Sequence, residues 1–216
     1  MVVAIDGPGG VGKTTVARAV AAALGLPHLD TGSYYRAATL AVLEAGVDAA
    51  DTAAVVRIVA AADLDYHDRR IHLDGRDVSA EARSPEVTAL VSPVSAIPEL
   101  RRIVVAAQRD WVRRHGGSAV VEGRDIGTVV FPDAPVKVYL TADPEVRARR
   151  RLGDTEAADV DPQRVAELLR LRDRIDSTRA DSPLRPAEDA VVVDTTDLAA
   201  EEVVDTVLRL VEAAGR

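Results

Sequence analysis

The stretch Gly7-Pro8-Gly9-Gly10-Val11-Gly12-Lys13-Thr14 constrains this chain more than any other. It fits G-x-x-x-x-G-K-[ST], a loop that cradles phosphate groups between a strand and a helix. Both flanking elements are legible. Val2-Val3-Ala4-Ile5 is a short apolar run that predicts a buried strand, and Val16, Ala19, Val20 and Ala23 recur at helical spacing between Thr14 and Leu24. Glycines permit positive φ and let backbone amides approach phosphate oxygens closely. A helix beginning at the loop aims its unpaired amides and positive dipole end at the same anion. Lys13 adds a point charge for the terminal phosphates, and the Thr14 hydroxyl can ligate Mg²⁺. Of 27 Lys plus Arg, only Lys13 and Lys137 are lysines. Lysine is kept where a compact charge is needed and a planar guanidinium is a poor substitute.

At 216 residues the chain predicts one domain with small insertions, long enough to bury a full α/β core. Aromatic content is 3%, so that core must be built from Ala, Val, Leu and Ile. A net charge of −8 argues against a general polyanion binder, so no nucleic-acid polymer is expected as a partner. With no cysteine there is no disulfide framework and no thiolate metal site. His28, His67, His72 and His115 make no ligand spacing in sequence. A first strand at residue 2 leaves no room for a leader, and no apolar run reaches membrane-spanning length. The expectation is a soluble cytoplasmic monomer without a membrane partner.

Further along, Leu26-Pro27-His28-Leu29 predicts a second strand, and Asp30-Thr31-Gly32-Ser33 a helix start before a helix over Tyr34 to Ala45. Arg36 sits one turn into that helix, after a strand end, where α/β sheets bind ligands. Another helix is predicted over Asp51 to Ala62. From Leu64 to Val91 the strand–helix alternation breaks. Leu64-Asp65-Tyr66-His67, Arg70-Ile71-His72-Leu73 and Arg76-Asp77-Val78, with Asp74-Gly75 as a turn, predict a small antiparallel insert. It is read as a mobile lobe packed beside the core.

Pro98 to Arg114 predicts a helix and Ser118 to Glu122 a strand, with Gly123-Arg124-Asp125 at the ligand-binding end of that strand. Val136 to Leu140 predicts a fourth strand, followed by a helix capped by Asp143 with Pro144 in its first turn. Arg147, Arg149, Arg150 and Arg151 are read mostly as a solvated face. Gly153 to Asp161 is an acidic connector, Val165 to Ile175 a helix, and Arg172 to Arg179 a turn-rich segment of alternating charge. Ala190 to Asp194 is a fifth strand and Ala199 to Ala213 the last helix. Five apolar strands separated by helices predict a parallel α/β sheet covered on both faces.

A phosphate loop alone is shared by GTPases, transport ATPases, small-molecule kinases and nucleotide switches. The Asn/Thr-Lys-x-Asp guanine-reading pattern is absent from the sequence. Small size, an insert and an arginine-dense segment favour a small kinase. Arginine suits phosphoryl transfer to an acceptor phosphate, where alignment and neutralisation of equatorial oxygens dominate. A kinase acting on UMP, AMP or a non-nucleotide acceptor and a nucleotide-dependent switch both remain open at this level.

Three longer segments carry a family resemblance. Asp30-Thr31-Gly32-Ser33-Tyr34-Tyr35-Arg36, the run from Glu122-Gly123-Arg124-Asp125 through Phe131-Pro132-Asp133-Ala134, and Arg172-Asp173-Arg174-Ile175-Asp176-Ser177-Thr178-Arg179 resemble bacterial cytidylate kinases. The resemblance runs from the phosphate loop to the fifth strand. It implies a P-loop NTPase-type α/β fold with a five-stranded parallel sheet. It also implies a nucleoside-monophosphate-binding insert, taken as 64–91, and a short lid, taken as 152–182. The implied activity is ATP- and Mg²⁺-dependent phosphorylation of CMP and dCMP. Gly7 to Thr14 with Thr15 would hold ATP, and Thr14 the metal. As catalytic residues, Lys13, Arg124 and Arg179 would act on the transferring group and Arg172 would support the lid side. Ser92, Arg101 and Asp125 would read cytosine, Thr31 and Asp176 would lie near the sugar, and Arg36 with Arg124 would hold the acceptor phosphate.

Overall fold

The computed structural model describes residues 1–153 and 161–215. Two compact units emerge: Met1–His28 with Ser118–Arg216, and Leu29–Gly117.

The first unit is organised by β1 (Val2–Asp6) and α1 (Lys13–Leu24), joined by the glycine-rich loop. After β2 (His28–Asp30), the unit resumes with β6 (Ala119–Gly123), β7 (Val136–Thr141), α6 (Pro144–Gly153), α7 (Pro162–Thr178), β8 (Val191–Asp194) and α8 (Ala200–Ala214). The strand order is β2-β6-β1-β7-β8. β1 therefore lies in the middle, parallel to β6 with Ile5 opposite Glu122 and Asp6 opposite Gly123. On its other side it is parallel to β7, with Asp6 opposite Tyr139.

One face of the sheet, carrying Val3, Ile5, Val120, Val138 and Leu140, packs on Val16 and Val20 of α1 and Val203 and Val207 of α8. These aliphatic residues need no polar partners and tolerate close packing, so a core of Val, Ala, Leu and Ile suffices without aromatics. Burial alternates strictly along β7, and Val191 and Val192 of the edge strand β8 are exposed. Full coverage of both faces, predicted from the apolar runs, does not extend to this edge.

In the second unit, α2 (Thr31–Glu44), α3 (Thr52–Ala61), α4 (Pro85–Ser95) and α5 (Pro98–Arg114) accompany a three-stranded antiparallel sheet. Its strands are β3 (Leu64–His67), β4 (Arg70–Leu73) and β5 (Arg76–Asp77). Both connecting turns hold two residues at positive φ, Asp68-Arg69 and Asp74-Gly75, as two-residue hairpins require. The small sheet is not an appendage within its unit. Leu64, Tyr66, Ile71, Leu73 and Val78 are buried, and the Trp111 indole N–H of α5 donates to the Tyr66 carbonyl.

Three local readings change. Thr31, expected in a helix-start loop, is already helical, because Asp30 adopts the extended conformation of an N-cap. Helix α4 occupies Pro85–Ser95, started by Ser84 accepting from the Val87 amide, where the antiparallel insert was expected to run on to Val91. The turn-rich segment expected to overlap the end of the helix over Val165 to Ile175 is instead helical as far as Thr178, the last two turns of α7. Its charges alternate along the sequence, yet Arg, Asp and Ile remain compatible with a helix when tertiary contacts hold one face.

The glycine pattern at the first loop has a direct steric cause. Gly7 has φ +146°, and a Cβ there would sit 2.2 Å from the Leu140 carbonyl oxygen. Gly10 has φ +79°, and a Cβ would lie 2.7 Å from the Arg147 carbonyl oxygen. Gly25, which ends α1 at φ +63°, faces open space. Gly7→Ala is expected to cost about 3 kcal/mol of stability, because strain and a backbone clash add. Gly25→Ala should cost about 1 kcal/mol from strain alone. Urea unfolding of the two variants beside the parent chain measures the difference.

Candidate active site

The loop between β1 and α1 is shaped to receive an anion. Gly12 stands at the N-cap of α1 in a left-handed conformation and supplies no side chain to cap it. The amides of the first helical turn are then oriented outward toward a ligand. Lys13 is buried, and its ammonium donates to the Pro8 carbonyl at 2.7 Å, folding the side chain back over the loop. Burial pulls its pKa well below the ordinary lysine range. The charges of Arg124 and Arg172 add to that fall, while Glu122 and Asp6 oppose it. Bringing phosphate to this cluster relieves the repulsion among its cations.

Thr14 begins the site's carboxylate side. Its hydroxyl donates to Glu122 Oε2 at 3.0 Å, and His28 Nε2 lies 2.9 Å from Glu122 Oε1. The parallel register that sets Glu122 opposite Ile5 brings this carboxylate beside the loop.

Beyond β6, the segment Ile126–Val130 makes one wide helical turn. The Val130 amide donates to the Asp125 carbonyl, and the Phe131 amide to the Ile126 carbonyl. Such widened turns recur at functional sites. Asp6 anchors this one: its two carboxylate oxygens accept from the amides of Ile126 and Gly127, each at 2.8 Å. Asp125 is buried immediately before the turn. Arg124 reaches back, donating from Nη1 to the Gly7 carbonyl and from Nε to Asp176 Oδ2, both at 3.1 Å.

On α7, Asp176 also faces Arg179, whose Nη1 lies 3.8 Å from Oδ1. Both side chains are 5% exposed, so this is a buried pair. Arg179 Nε further donates to the Ser182 carbonyl at 2.8 Å. The unit thus gathers Lys13, Thr14, Arg124, Asp125, Arg172, Asp176 and Arg179 around the loop and the end of α7.

Arg147, expected on a solvated face, lies inside the site. It is buried, donates from Nε to the Gly9 carbonyl at 2.7 Å, and pairs with Asp173. Arg150 is likewise engaged, donating to the Thr195 carbonyl at 2.7 Å. These two do not form a solvated face. The usable signal was position: Arg147 lies one turn past the Asp143-Pro144 helix start, at the ligand-binding end of a parallel strand. Asp6, Glu122 and His28 carried no signal beyond closing or opening strands.

The second unit holds the remaining candidates. Arg36 donates to the Ala82 carbonyl at 3.1 Å and the Thr88 hydroxyl at 3.0 Å. Arg101 is buried, donates to the Ser95 carbonyl at 3.1 Å, and stands 5.1 Å over the Tyr35 ring. The Ser95 hydroxyl in turn donates to the carbonyl of Ser92, also buried. Thr31 is buried at the start of α2, its carbonyl facing the Gln108 amide. Ser92, Arg101 and the Tyr35 region of α2 are therefore assembled in one neighbourhood of this unit. Of the lid segment 152–182, residues 154–160 lie outside the described residues.

A family model for cytidylate kinase matches residues 3–213. This chain belongs to the cytidylate kinase family. A cytidylate kinase of Mycobacterium avium is 53% identical over 98% of this chain and 95% of the relative. Another, of Corynebacterium glutamicum, is 50% identical over 99% of this chain and 95% of the relative. An uncharacterised protein of Eubacterium ventriosum of known structure matches with a TM-score of 0.54 at 13% identity, covering 99% of this chain and 98% of that one. At that identity the likeness concerns the fold alone. Membership in the cytidylate kinase family makes the chain a transferase acting by nucleotide phosphoryl transfer. Among the described residues no helix is long and apolar enough to cross a membrane.

Asp6 gives this kinase site a stability cost. Burial pushes its carboxyl up to about 6, against the two amides that favour its charged form, with the charge of Asp125 adding to the rise. A folded pKa above the unfolded one gives stability that is complete below about pH 4 and lost as pH rises through about 6. The rise from 3.8 to about 6 corresponds to about 3 kcal/mol. Asp6→Asn cannot titrate, so the stability of the parent relative to this variant should fall by about 3 kcal/mol between pH 3 and 7. Urea unfolding at stepped pH checks it, and a flat difference would contradict the assignment.

Proposed function

We propose that the chain transfers the γ-phosphoryl group of ATP to CMP and dCMP, forming CDP and dCDP, in the cytoplasm and as a monomer. The observation that carries the phosphoryl transfer is near-full-length membership in the cytidylate kinase family, together with a loop whose helix start is left uncapped by any side chain. Gly7 to Thr15 would hold the ATP phosphates. Thr14 suits Mg²⁺, because its hydroxyl proton is already committed to Glu122 and its oxygen lone pairs stay available to a hard cation. The metal, when bound, would supply charge neutralisation on phosphate oxygens.

An acceptor phosphate oxygen is ionised at neutral pH, so it needs no general base. It attacks the γ-phosphorus as the bond to the ADP oxygen breaks, and catalysis rests on alignment and charge. Lys13, Arg124, Arg172 and Arg179 would neutralise the transferring group. Arg36 with Arg124 would hold the acceptor phosphate, and Thr31 and Asp176 would meet the sugar. Residues 64–91 would serve the acceptor nucleotide, and 152–182 would close as a lid that excludes water as a competing acceptor. Ser92, Arg101 and Asp125 would read cytosine. Burial of Arg101 and Asp125 supports that role, since desolvated polar groups discriminate strongly between partners.

ATP consumption measured with CMP, dCMP, UMP and AMP in turn tests the reading. A chain indifferent to all four would be a switch and not a kinase. Lys13→Ala should lose at least about a hundredfold in kcat while remaining folded, because the lysine acts on transferring phosphate. A folded variant with near-normal turnover would remove the phosphate-loop assignment.

Asp125 gives the sharper prediction. A carboxylate accepts from the cytosine amine but faces the uracil carbonyl with like polarity. Asp125→Asn keeps the shape and adds a donor. It should lose much activity on CMP and shift the CMP:UMP ratio of kcat/KM toward UMP by at least about tenfold. Equal losses on both substrates would instead make Asp125 a loop-fixing residue.

A further inference from the structure

His28 has no role in the reading above, yet its side chain is 5% exposed and meets a carboxylate that is 3% exposed. It stands at the start of the edge strand β2, in a stretch where the following Leu29 is fully buried. Its Nε2 lies 2.9 Å from Glu122 Oε1, while Glu122 Oε2 accepts from the Thr14 hydroxyl at 3.0 Å. The three side chains run in sequence from His28 through Glu122 to Thr14, with Oε1 meeting His28 and Oε2 meeting Thr14. Nδ1 of His28 has no hydrogen-bond partner among the described residues. A ring with its proton on Nε2 satisfies the carboxylate and leaves only a bare lone pair on Nδ1, less costly to bury than an unmatched N–H.

We propose that His28 is a positioning residue for Thr14: by holding Oε1 it fixes the rotation of the Glu122 carboxylate, so that Oε2 receives the Thr14 proton and the lone pairs of the hydroxyl are presented to the cation bound with the nucleotide. The proposal rests on the kinase reading. A carboxylate on a flexible side chain is oriented only when both oxygens are engaged. A hydroxyl can rotate its proton toward any acceptor, including a phosphate oxygen, unless one acceptor is fixed. Partners that orient a ligand from behind change metal affinity by roughly tenfold to a hundredfold when removed.

Glutamine places its amide nitrogen near the position of His Nε2, and asparagine reaches only as far as Nδ1. H28Q therefore keeps the donor to Glu122, and H28N removes it. The experiment is equilibrium binding of ATP with and without Mg²⁺, by calorimetry, for the parent and both variants, with CMP affinity and Tm alongside. H28N should lose roughly tenfold of the gain in ATP affinity that Mg²⁺ brings. H28Q should keep most of it, and CMP affinity should stay unchanged in both. In a Thr14→Ala background, H28N should cause no further loss.

An undiminished Mg²⁺ gain in H28N overturns the proposal. Equal losses in H28N and H28Q also overturn it, because packing and not the hydrogen bond would then be responsible. So does a further loss in the Thr14→Ala background. Should H28N fail to fold, His28→Met fills the volume without a donor and takes its place. A parent chain that binds ATP with no gain from Mg²⁺ would overturn the kinase reading, and the proposal with it.

Discussion

The placement of β1 between β6 and β7 is the constraint on which the rest of the site depends. Its strand pairs set Ile5 opposite Glu122, and Asp6 opposite both Gly123 and Tyr139. Three strand ends therefore converge where the phosphate loop begins. Parallel strands all present their C-terminal ends on one side of a sheet, and a central strand whose neighbours lead away in opposite directions opens a crevice there. In this chain the segments leaving β1, β6 and β7 meet at that end: the glycine loop, the Arg124-Asp125 turn, and the helix carrying Arg147.

The loops are then tied to one another through backbone groups, mostly by charged side chains. Asp6 accepts from two amides of the turn after β6, Arg124 donates to the Gly7 carbonyl, and Arg147 donates to the Gly9 carbonyl. Charge-assisted hydrogen bonds of this kind are stronger than neutral ones and hold a loop geometry without large side-chain cores. Their cost is desolvation. Asp6 is pushed up and Lys13 is pulled down, both chiefly by burial. A site made to receive a polyanion is expected to hold cations closer together than stability alone would favour.

Much of this was legible in the residues. The loop motif, the hairpin turn at Asp74-Gly75 and the helix start at Asp143-Pro144 are local signals, because φ preference, capping and alternation act over a few residues. Lys13, Thr14, Arg124 and Asp125 were legible for the same reason: each adjoins a strand end or a glycine turn. Arg147 was not, since four arginines in five positions look alike until packing selects one. The helix expected to end at Ile175 runs on to Thr178, because alternating charge removes the apolar periodicity that marks a helix, while Asp176 and Asp173 find buried or half-buried partners only in the folded chain.

The sequence by itself determined the parts: a strand, a phosphate loop with its glycines, a lysine where a compact charge is needed, and two charged residues after a later strand. Steric and capping preferences are properties of neighbours in the chain, so they can be read without a fold. Only the tertiary structure decided the connections. His28 meets Glu122 across 94 residues and Arg124 meets Asp176 across 52. No local preference encodes such distances, since they depend on the order in which strands lie side by side and on which carboxylates burial leaves in need of a donor.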